Sequence, residues 1–159
     1  MQRRTHRSYV SYIDKSREYY QAHGYGNAYA WAHHDEVPFA SLAKPLAQSR
    51  VAICTTADRA PRAEGRDARH FAEPLSTGSR LHRDMFWDRD ATHTDDPESY
   101  FPLASLKAHQ NAGRIRSISP RFYGLSTEYS QRKTMTNDAP ELEAWMREDN
   151  VDVAVLVAL

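Results

Sequence analysis

Residues 151–159 read VDVAVLVAL, and eight of these nine side chains are apolar. A run this continuous is typical of a strand in a parallel sheet whose two faces are both covered. Residues 50–56, RVAICTT, form a second short run of apolar and β-branched side chains, which predicts another buried strand. The two runs together predict an α/β fold with a parallel-sheet core.

The segments between these runs predict helices that connect parallel strands. Pro102 opens a helix that extends to about residue 111 and is closed by Gly113. Asp138 is the expected N-cap of a further helix, with a proline in its first turn, which ends near residue 150 and leads into the last apolar run. Strand, helix and strand in this order predict helical crossovers.

The remaining segments set the expected domain organisation. Residues 5–23 predict a helix followed by Gly24 as a cap, and residues 24–46 predict an irregular amino-terminal wrap, rich in Gly, Pro and aromatic side chains. Residues 57–79 are polar and contain two prolines and two glycines, which predicts a mobile loop. A chain of 159 residues is expected to form a single α/β domain over 1–159.

Composition narrows the class of protein. Lys and Arg number 21, and Asp and Glu also number 21, so the basic excess of a phosphate-neutralising nucleic-acid binder is missing. No apolar run approaches about 18 residues, and the first ten residues lack the apolar core of a signal peptide. The single cysteine, Cys54, cannot form an internal disulfide. We therefore expect a cytoplasmic protein that binds neither nucleic acid nor membrane.

His93, Asp95 and Asp96 form the densest group of chemically versatile side chains, in the segment THTDD. Imidazole and carboxylate groups can bind zinc, iron or manganese, and they can also move protons. No HExxH or CxxC spacing supports a metal site, so hydrogen-bonding residues at a loop-rich surface or cleft are the favoured interpretation of this group.

Arg121 and Tyr123 are the second group of candidates. A guanidinium and a phenol so close in sequence can grip an anionic substrate, or they can belong to a satisfied polar network. Cys54 lies inside a predicted strand, where a cysteine usually acts as a small hydrophobic side chain. The sequence has no GxGxxG, Walker or GxSxG motif, so dinucleotide, P-loop and serine-hydrolase chemistry lack support.

Long stretches of the chain resemble a known family. They are YVSYIDKSREYY (9–20), YAWAHHDEVPFASLAKPL (29–46), RVAICTTA (50–57), RDMFWDRDATHTDD (83–96), YFPLASLKAHQNAGRI (100–115) and SISPRFYGLSTEYSQRKT (117–134). With these stretches, the chain resembles the selenoprotein B family of the glycine, sarcosine and betaine reductases, which includes the related D-proline reductase subunit.

The resemblance implies a bacterial oxidoreductase that cleaves a carbon–nitrogen bond of a small amine by thiol redox chemistry. In this family a selenolate or thiolate, in a U-x-x-C or C-x-x-C motif where U is selenocysteine, follows a strand like residues 151–159. The resemblance implies no cofactor in this chain, a pyruvoyl group on a partner subunit, a thioredoxin-like reductant and a disulfide as the oxidised product. It also implies that the fold is incomplete at Leu159, because the motif is expected directly afterwards and a UGA codon is readily taken for a stop.

Within such a reductase, His93, Asp95 and Asp96 are the first candidates for catalytic groups that line the pocket or move protons. Arg121 and Tyr123 are candidates for binding the substrate carboxylate. Two alternatives from other classes stay open. One is a non-catalytic binding or assembly domain of the same fold, and the other is a small metal-dependent enzyme that uses the His93 group.

Overall fold

The described part of the chain contains both helices and strands, and α-helices separate the fourth strand from the fifth and the sixth strand from the seventh. The strands are β1 Arg50–Thr55, β2 Asp58–Arg59, β3 His70–Pro74, β4 Leu81–His82, β5 Ser117–Ile118, β6 Arg121–Leu125 and β7 Val153–Val157, and the helices are α1 Tyr12–Ala22, α2 Leu103–Asn111, α3 Gln131–Lys133 and α4 Ala139–Glu148. Short 3-10 helices cover Leu46–Gln48, Leu75–Arg80 and Pro97–Ser99.

The structure, a computed structural model, describes residues 12–26, 32–37, 40–59, 70–82, 95–125 and 130–158. The chain divides into two compact units, Met1–Phe39 and Ala40–Leu159. The sheet lies in the second unit. The expected single domain over 1–159 stays a prediction.

The first unit contains α1. This helix lies within the predicted range of 5–23, of which residues 5–11 are outside the described part. Gly24 follows the helix with a φ of 78°, the left-handed conformation expected of a glycine cap. The described residues from Tyr25 to Pro45 form no helix or strand, which agrees with the predicted irregular wrap.

β1 is the centre of a five-stranded, mostly parallel sheet, which confirms the predicted α/β class. On one side β1 pairs in parallel with β7, in register from Val51 with Val153 to Thr55 with Val157. On its other side β1 pairs in parallel first with β5 and then with β6. β3 is antiparallel to the far side of β6. The spatial order is therefore β3, then β6 with β5, then β1, then β7.

Helices cover both faces of this sheet. Side chains alternate along β1, so Val51 and Ile53 face the cluster that contains Leu106 of α2. Ala52 and Cys54 face the opposite cluster, which contains Leu142 of α4. A parallel sheet needs this arrangement, because β1 is apolar on both faces and is almost completely buried.

Among the described strands β7 lies at an edge of the sheet and not in its centre, which corrects the prediction that both of its faces are covered. Its burial alternates, with Val153, Val155 and Val157 half-buried against the α2 cluster. Ala154 and Leu156 point to the other face and are exposed. Among the described residues, β1 is the strand that pairs with β7. An apolar run thus marks a strand but does not distinguish the centre of a sheet from its edge.

The segment 57–79, predicted as a loop, contains β3 and part of a 3-10 helix, while residues 60–69 lie outside the described part. β3 pairs with β6 along all five of its residues. Phe71 of β3 packs directly on the backbone of Gly124 in β6, so closely that a Cβ at position 124 would overlap its ring. The contact that makes this segment a strand is therefore long-range, and local polarity does not reveal it.

The helical segment before β7 begins earlier than Asp138, which corrects the predicted N-cap. Ser130 caps its first turn by accepting a hydrogen bond from the Lys133 backbone N–H at 3.3 Å. The segment then runs through a π-helical stretch, Thr134–Asp138, into α4. Asp138 has helical φ and ψ angles of −71° and −48° and makes no capping hydrogen bond with its side chain. Its carboxylate is buried and points to β3 instead.

Candidate functional site

The carboxyl ends of three parallel strands coincide at one edge of the sheet. Thr55, the last residue of β1, pairs with Gly124 of β6 on one side and with Val157 of β7 on the other. Open α/β sheets bind their ligands beyond this edge. His70 begins β3 and pairs with Leu125, the last residue of β6, so its imidazole belongs to the same edge.

His70 lies between two carboxylates. Its Nε2 is 2.7 Å from Oε2 of Glu141, and its Nδ1 is 3.3 Å from Oδ1 of Asp138. The two acids are three positions apart at the start of α4, which places them on one side of the helix. Trp145, one turn further along, packs its ring against the imidazole at a centroid distance of 5.5 Å. We call His70, Asp138 and Glu141 the carboxyl-edge cluster.

The two carboxylates of the carboxyl-edge cluster differ in how far they are buried. The side chain of Asp138 is 4% exposed, that of His70 14% and that of Glu141 51%. Although Nδ1 of His70 is within ion-pair distance of Asp138, its geometry makes no hydrogen bond, and it is a buried atom without a hydrogen-bond partner in the described part of the chain. The imidazole thus has one nitrogen directed to a half-exposed acid and one whose hydrogen-bonding capacity is unused.

This arrangement is suited to proton transfer. An imidazole can accept a proton at one nitrogen and release one at the other. A carboxylate beside one ring nitrogen orients the ring, as in hydrolase triads. Here Asp138 has the buried position beside Nδ1 but accepts no hydrogen bond from it, while Nε2 and Glu141 face the more accessible side.

The first predicted group, His93, Asp95 and Asp96, is not part of the carboxyl-edge cluster. His93 lies outside the described residues. Asp95 and Asp96 are exposed, and Oδ1 of Asp96 accepts a hydrogen bond from the Glu98 backbone N–H at 3.0 Å, which caps a 3-10 helix. Within the described ranges, no group of three or more possible ligands could hold a metal ion. A metal site that includes His93 stays a prediction.

Arg121 and Tyr123 converge on a single protein carboxylate. Arg121 Nε donates to Oδ2 of Asp149 at 2.7 Å, and the Tyr123 hydroxyl donates to the same oxygen at 2.5 Å. A second guanidinium nitrogen of Arg121 donates to Glu148 at 3.1 Å. The position that a substrate carboxylate would take is therefore occupied by Asp149. We call Arg121, Tyr123 and Asp149 the amino-edge network, because Arg121 begins β6.

The ionisation of the amino-edge network reflects these bonds. Burial opposes ionisation of Asp149, but hydrogen bonds from Arg121 and Tyr123 outweigh it and hold the pKa of this carboxyl below its usual range. Burial, together with the bond to Asp149, raises the pKa of Tyr123 to about 12. The bond to Asp149 likewise raises the pKa of Arg121. The geometry and charges favour a satisfied polar network over a substrate-binding pair.

Cys54 is buried in β1, where the sequence suggested a structural role. Burial raises the pKa of its thiol from the ordinary 9.0 to about 11, so it is almost entirely protonated at neutral pH. A thiol in this state is a poor nucleophile.

Sequence reasoning missed the carboxyl-edge cluster. His70 lay in the predicted loop, and Asp138 was assigned to a cap. The available signal was the pair of acids Asp138 and Glu141, three positions apart at the start of an amphipathic helix. One acid is enough to interact favourably with the helix dipole there, so the second suggests a further role. The partner of both acids, His70, precedes Asp138 by 68 residues, and no sequence motif has a fixed spacing of that length.

The fold and site define an α/β protein with a histidine–carboxylate cluster at the carboxyl edge of a mostly parallel sheet. In the described ranges, no helix has the length and apolar character needed to cross a membrane. Comparisons of the chain with family models, with curated proteins and with solved structures give no match. The resemblance to the amino-acid reductases therefore stays a prediction.

Proposed function

We propose that this chain belongs to a reductase subunit of the glycine, betaine and D-proline reductase type, which cleaves a carbon–nitrogen bond reductively. The observation that carries the proposal is that the carboxyl end of β7 and the carboxyl-edge cluster share one edge of the sheet. In the family that the chain resembles, the redox motif follows a strand equivalent to β7. The proposal includes a cytoplasmic location, where thiols stay reduced.

The proposed reaction reduces the substrate by two electrons. A selenolate or thiolate beyond residue 159 attacks the carbon that bears the nitrogen, and the carbon–nitrogen bond breaks as the new bond forms. The nitrogen leaves with the electron pair and takes a proton. The second thiolate of the motif then attacks the chalcogen, the carbon leaves with the bonding pair and takes a proton, and a disulfide or selenenylsulfide remains. A thioredoxin-like protein reduces this bond again.

In this proposal the pyruvoyl group is part of a partner subunit and would activate the amine there. The residues of this chain manage the proton. Nε2 of His70 and the carboxylate of Glu141, which share a proton across 2.7 Å, deliver it to the departing nitrogen, while the buried Asp138 lies beside Nδ1 at 3.3 Å and favours a positive charge on the ring. His70 thus takes the role that the sequence suggested for His93.

The strand spacing supports a motif close to residue 159. β3 and β7 are three strand positions apart, which is about 14 Å at ~4.8 Å per strand. About four extended residues at ~3.3 Å each span that distance. A nucleophile within a few residues of β7 therefore reaches the space in front of His70.

The nucleotide sequence after the codon for Leu159 tests the redox motif. We expect TGA followed by an open frame with a cysteine codon three positions later, and a native protein heavier than the 159 residues. A TAA or TAG codon, together with a native mass equal to that of the 159 residues, would reject the reductase and leave the binding-domain alternative.

A matched pair of substitutions in the native protein tests His70. His70→Gln should lower substrate-dependent amine release about 100-fold, the scale of general acid catalysis, with little change in the melting temperature. His109→Gln, on an exposed face of α2, should leave amine release unchanged. Equal rates in the two variants would exclude His70 from proton transfer, whatever the redox motif proves to be.

A further inference from the structure

A basic cleft opens on the amino side of the sheet, away from the carboxyl-edge cluster. It has a volume of about 520 Å³ and is lined by four cationic side chains, those of Lys44, Arg50, Arg116 and Arg147. Asp152 is the one acidic side chain among the described residues that line it. The cleft therefore concentrates positive charge in a chain whose formal net charge is zero.

Asp152 cannot neutralise the whole cleft. Its Oδ2 accepts a hydrogen bond from the Arg50 backbone N–H at 2.7 Å and lies 2.9 Å from Nζ of Lys44. These two contacts hold the pKa of Asp152 below its usual range, with a further contribution from the charge of Arg116. Asp152 thus stays ionised and is already occupied, chiefly by Lys44.

The arginines of the cleft differ in how far they are already bound. Arg50 donates Nη1 to the backbone carbonyl of Asp149, and its charge also acts on the Asp149 carboxylate and contributes to lowering the pKa of that group. Arg147 forms an exposed pair with Glu143, one turn earlier on α4, and such pairs are weak. Arg116 is exposed, and its guanidinium has no ion pair with any described residue. Arg116 and Arg147 are therefore the cations available to a ligand.

We propose that this cleft binds the phosphate group of a small phosphorylated molecule. A phosphate dianion matches the excess of positive charge, and two guanidinium forks bind phosphate oxygens in the bidentate manner that makes arginine selective for this group. The volume is in the range of small-molecule sites, about 300–1,000 Å³. A concave site of this size fits a small molecule better than a nucleic-acid backbone, which needs an extended basic surface.

The site is independent of the proposed reductase reaction. It lies beside the amino-edge network, at the start of β1, whereas the carboxyl-edge cluster lies where β1 ends. A ligand bound there would contact the turn between α4 and β7, because Asn150 and Val151 also line the cleft.

Titration of the full chain with inorganic pyrophosphate, at constant ionic strength set with sodium chloride, tests this proposal. We expect saturable chemical-shift changes of the Arg116 and Asn150 amides in ¹⁵N–¹H spectra. Arg116→Gln and, separately, Arg147→Gln should each weaken binding about tenfold. Arg132→Gln removes the same charge from the exposed face of α3 and should leave binding unchanged.

Two results would reject the proposal. One is a non-saturable response that chloride reproduces at the same ionic strength, which would mean only general screening. The other is an equal loss of binding in Arg116→Gln and Arg132→Gln, which would indicate net charge and not the cleft. Saturable binding of a single-stranded oligonucleotide that is stronger than that of pyrophosphate would replace the small ligand with nucleic acid.

Discussion

At the amino edge of the sheet, the carboxylate of Asp149 receives hydrogen bonds from Arg121 and Tyr123 and is 13% exposed. At the carboxyl edge, the carboxylate of Asp138 is similarly buried, but the imidazole beside it has a nitrogen that makes no hydrogen bond to the described residues. The same helix connects the two places, because α4 begins at one edge and ends at the other.

The two edges thus illustrate the difference between a polar group that serves the structure and one that is available for chemistry. A hydrogen bond that is fully made stabilises the fold, whereas a buried group left without a partner is destabilising and needs an explanation. Arg121 and Tyr123 look functional in sequence and are satisfied in the structure. His70 drew no attention in sequence and retains an unused nitrogen.

The largest expected effect comes from removing the acceptor of the amino-edge network. Asp149→Ala should lower the free energy of unfolding by about 3 kcal/mol, because Arg121 and Tyr123 lose their common partner in a half-buried setting. Urea denaturation followed by circular dichroism measures this. Glu148→Ala removes a neighbouring carboxylate that is 63% exposed and should cost less than about 1 kcal/mol. Similar losses in both variants would contradict a closed network at the amino edge.

A smaller effect, of about 100-fold, is expected for the rate at which the thiol of Cys54 reacts. The pKa of Cys54, at about 11 against an ordinary 9.0, reduces its thiolate fraction by about two powers of ten at pH 8. Native protein should therefore react with Ellman's reagent at least about 100-fold more slowly than the same protein in guanidinium chloride. Fast labelling of the native state would instead make Cys54 a candidate nucleophile and weaken the case for one beyond β7.

The smallest effect is the acid dependence of the amino-edge network. Folding lowers the pKa of Asp149, so its stabilising contribution is complete above the pKa of the unfolded chain, about 3.9, and is lost as pH falls through the folded value. The stability difference between the wild-type protein and Asp149→Asn should then narrow progressively below about pH 4. Urea midpoints for both proteins, measured at a series of pH values, report this. A difference that is independent of pH would mean that Asp149 acts without its charge.

The sequence predicts those parts of the fold that depend on local patterns. The apolar runs identify β1 and β7, and the proline and glycine positions locate α2, which ends two residues before Gly113. The same reasoning fails for β3, whose strand character depends on pairing with β6 some 50 residues later.

The candidate site depends on still longer separations. His70 meets Glu141 across 71 residues, and Asp138 resembles an N-cap until the helix is seen to start at Ser130. For Arg121 and Tyr123 the residue types predict that polar partners are needed, but not that Asp149 supplies them. Contacts of this kind carry no periodicity, so a single sequence contains little information on them.

The contact between Phe71 and Gly124 has a consequence for the proposed proton transfer. The ring lies on bare backbone, and His70 is the adjoining residue of the same strand. The packing of β3 on β6 beside His70 therefore depends on the space at that glycine. A methyl group added there would overlap the Phe71 ring, so that the ring or the strand that carries it would have to move. In the proposed function, proton transfer by His70 would then depend on a position that contributes only space.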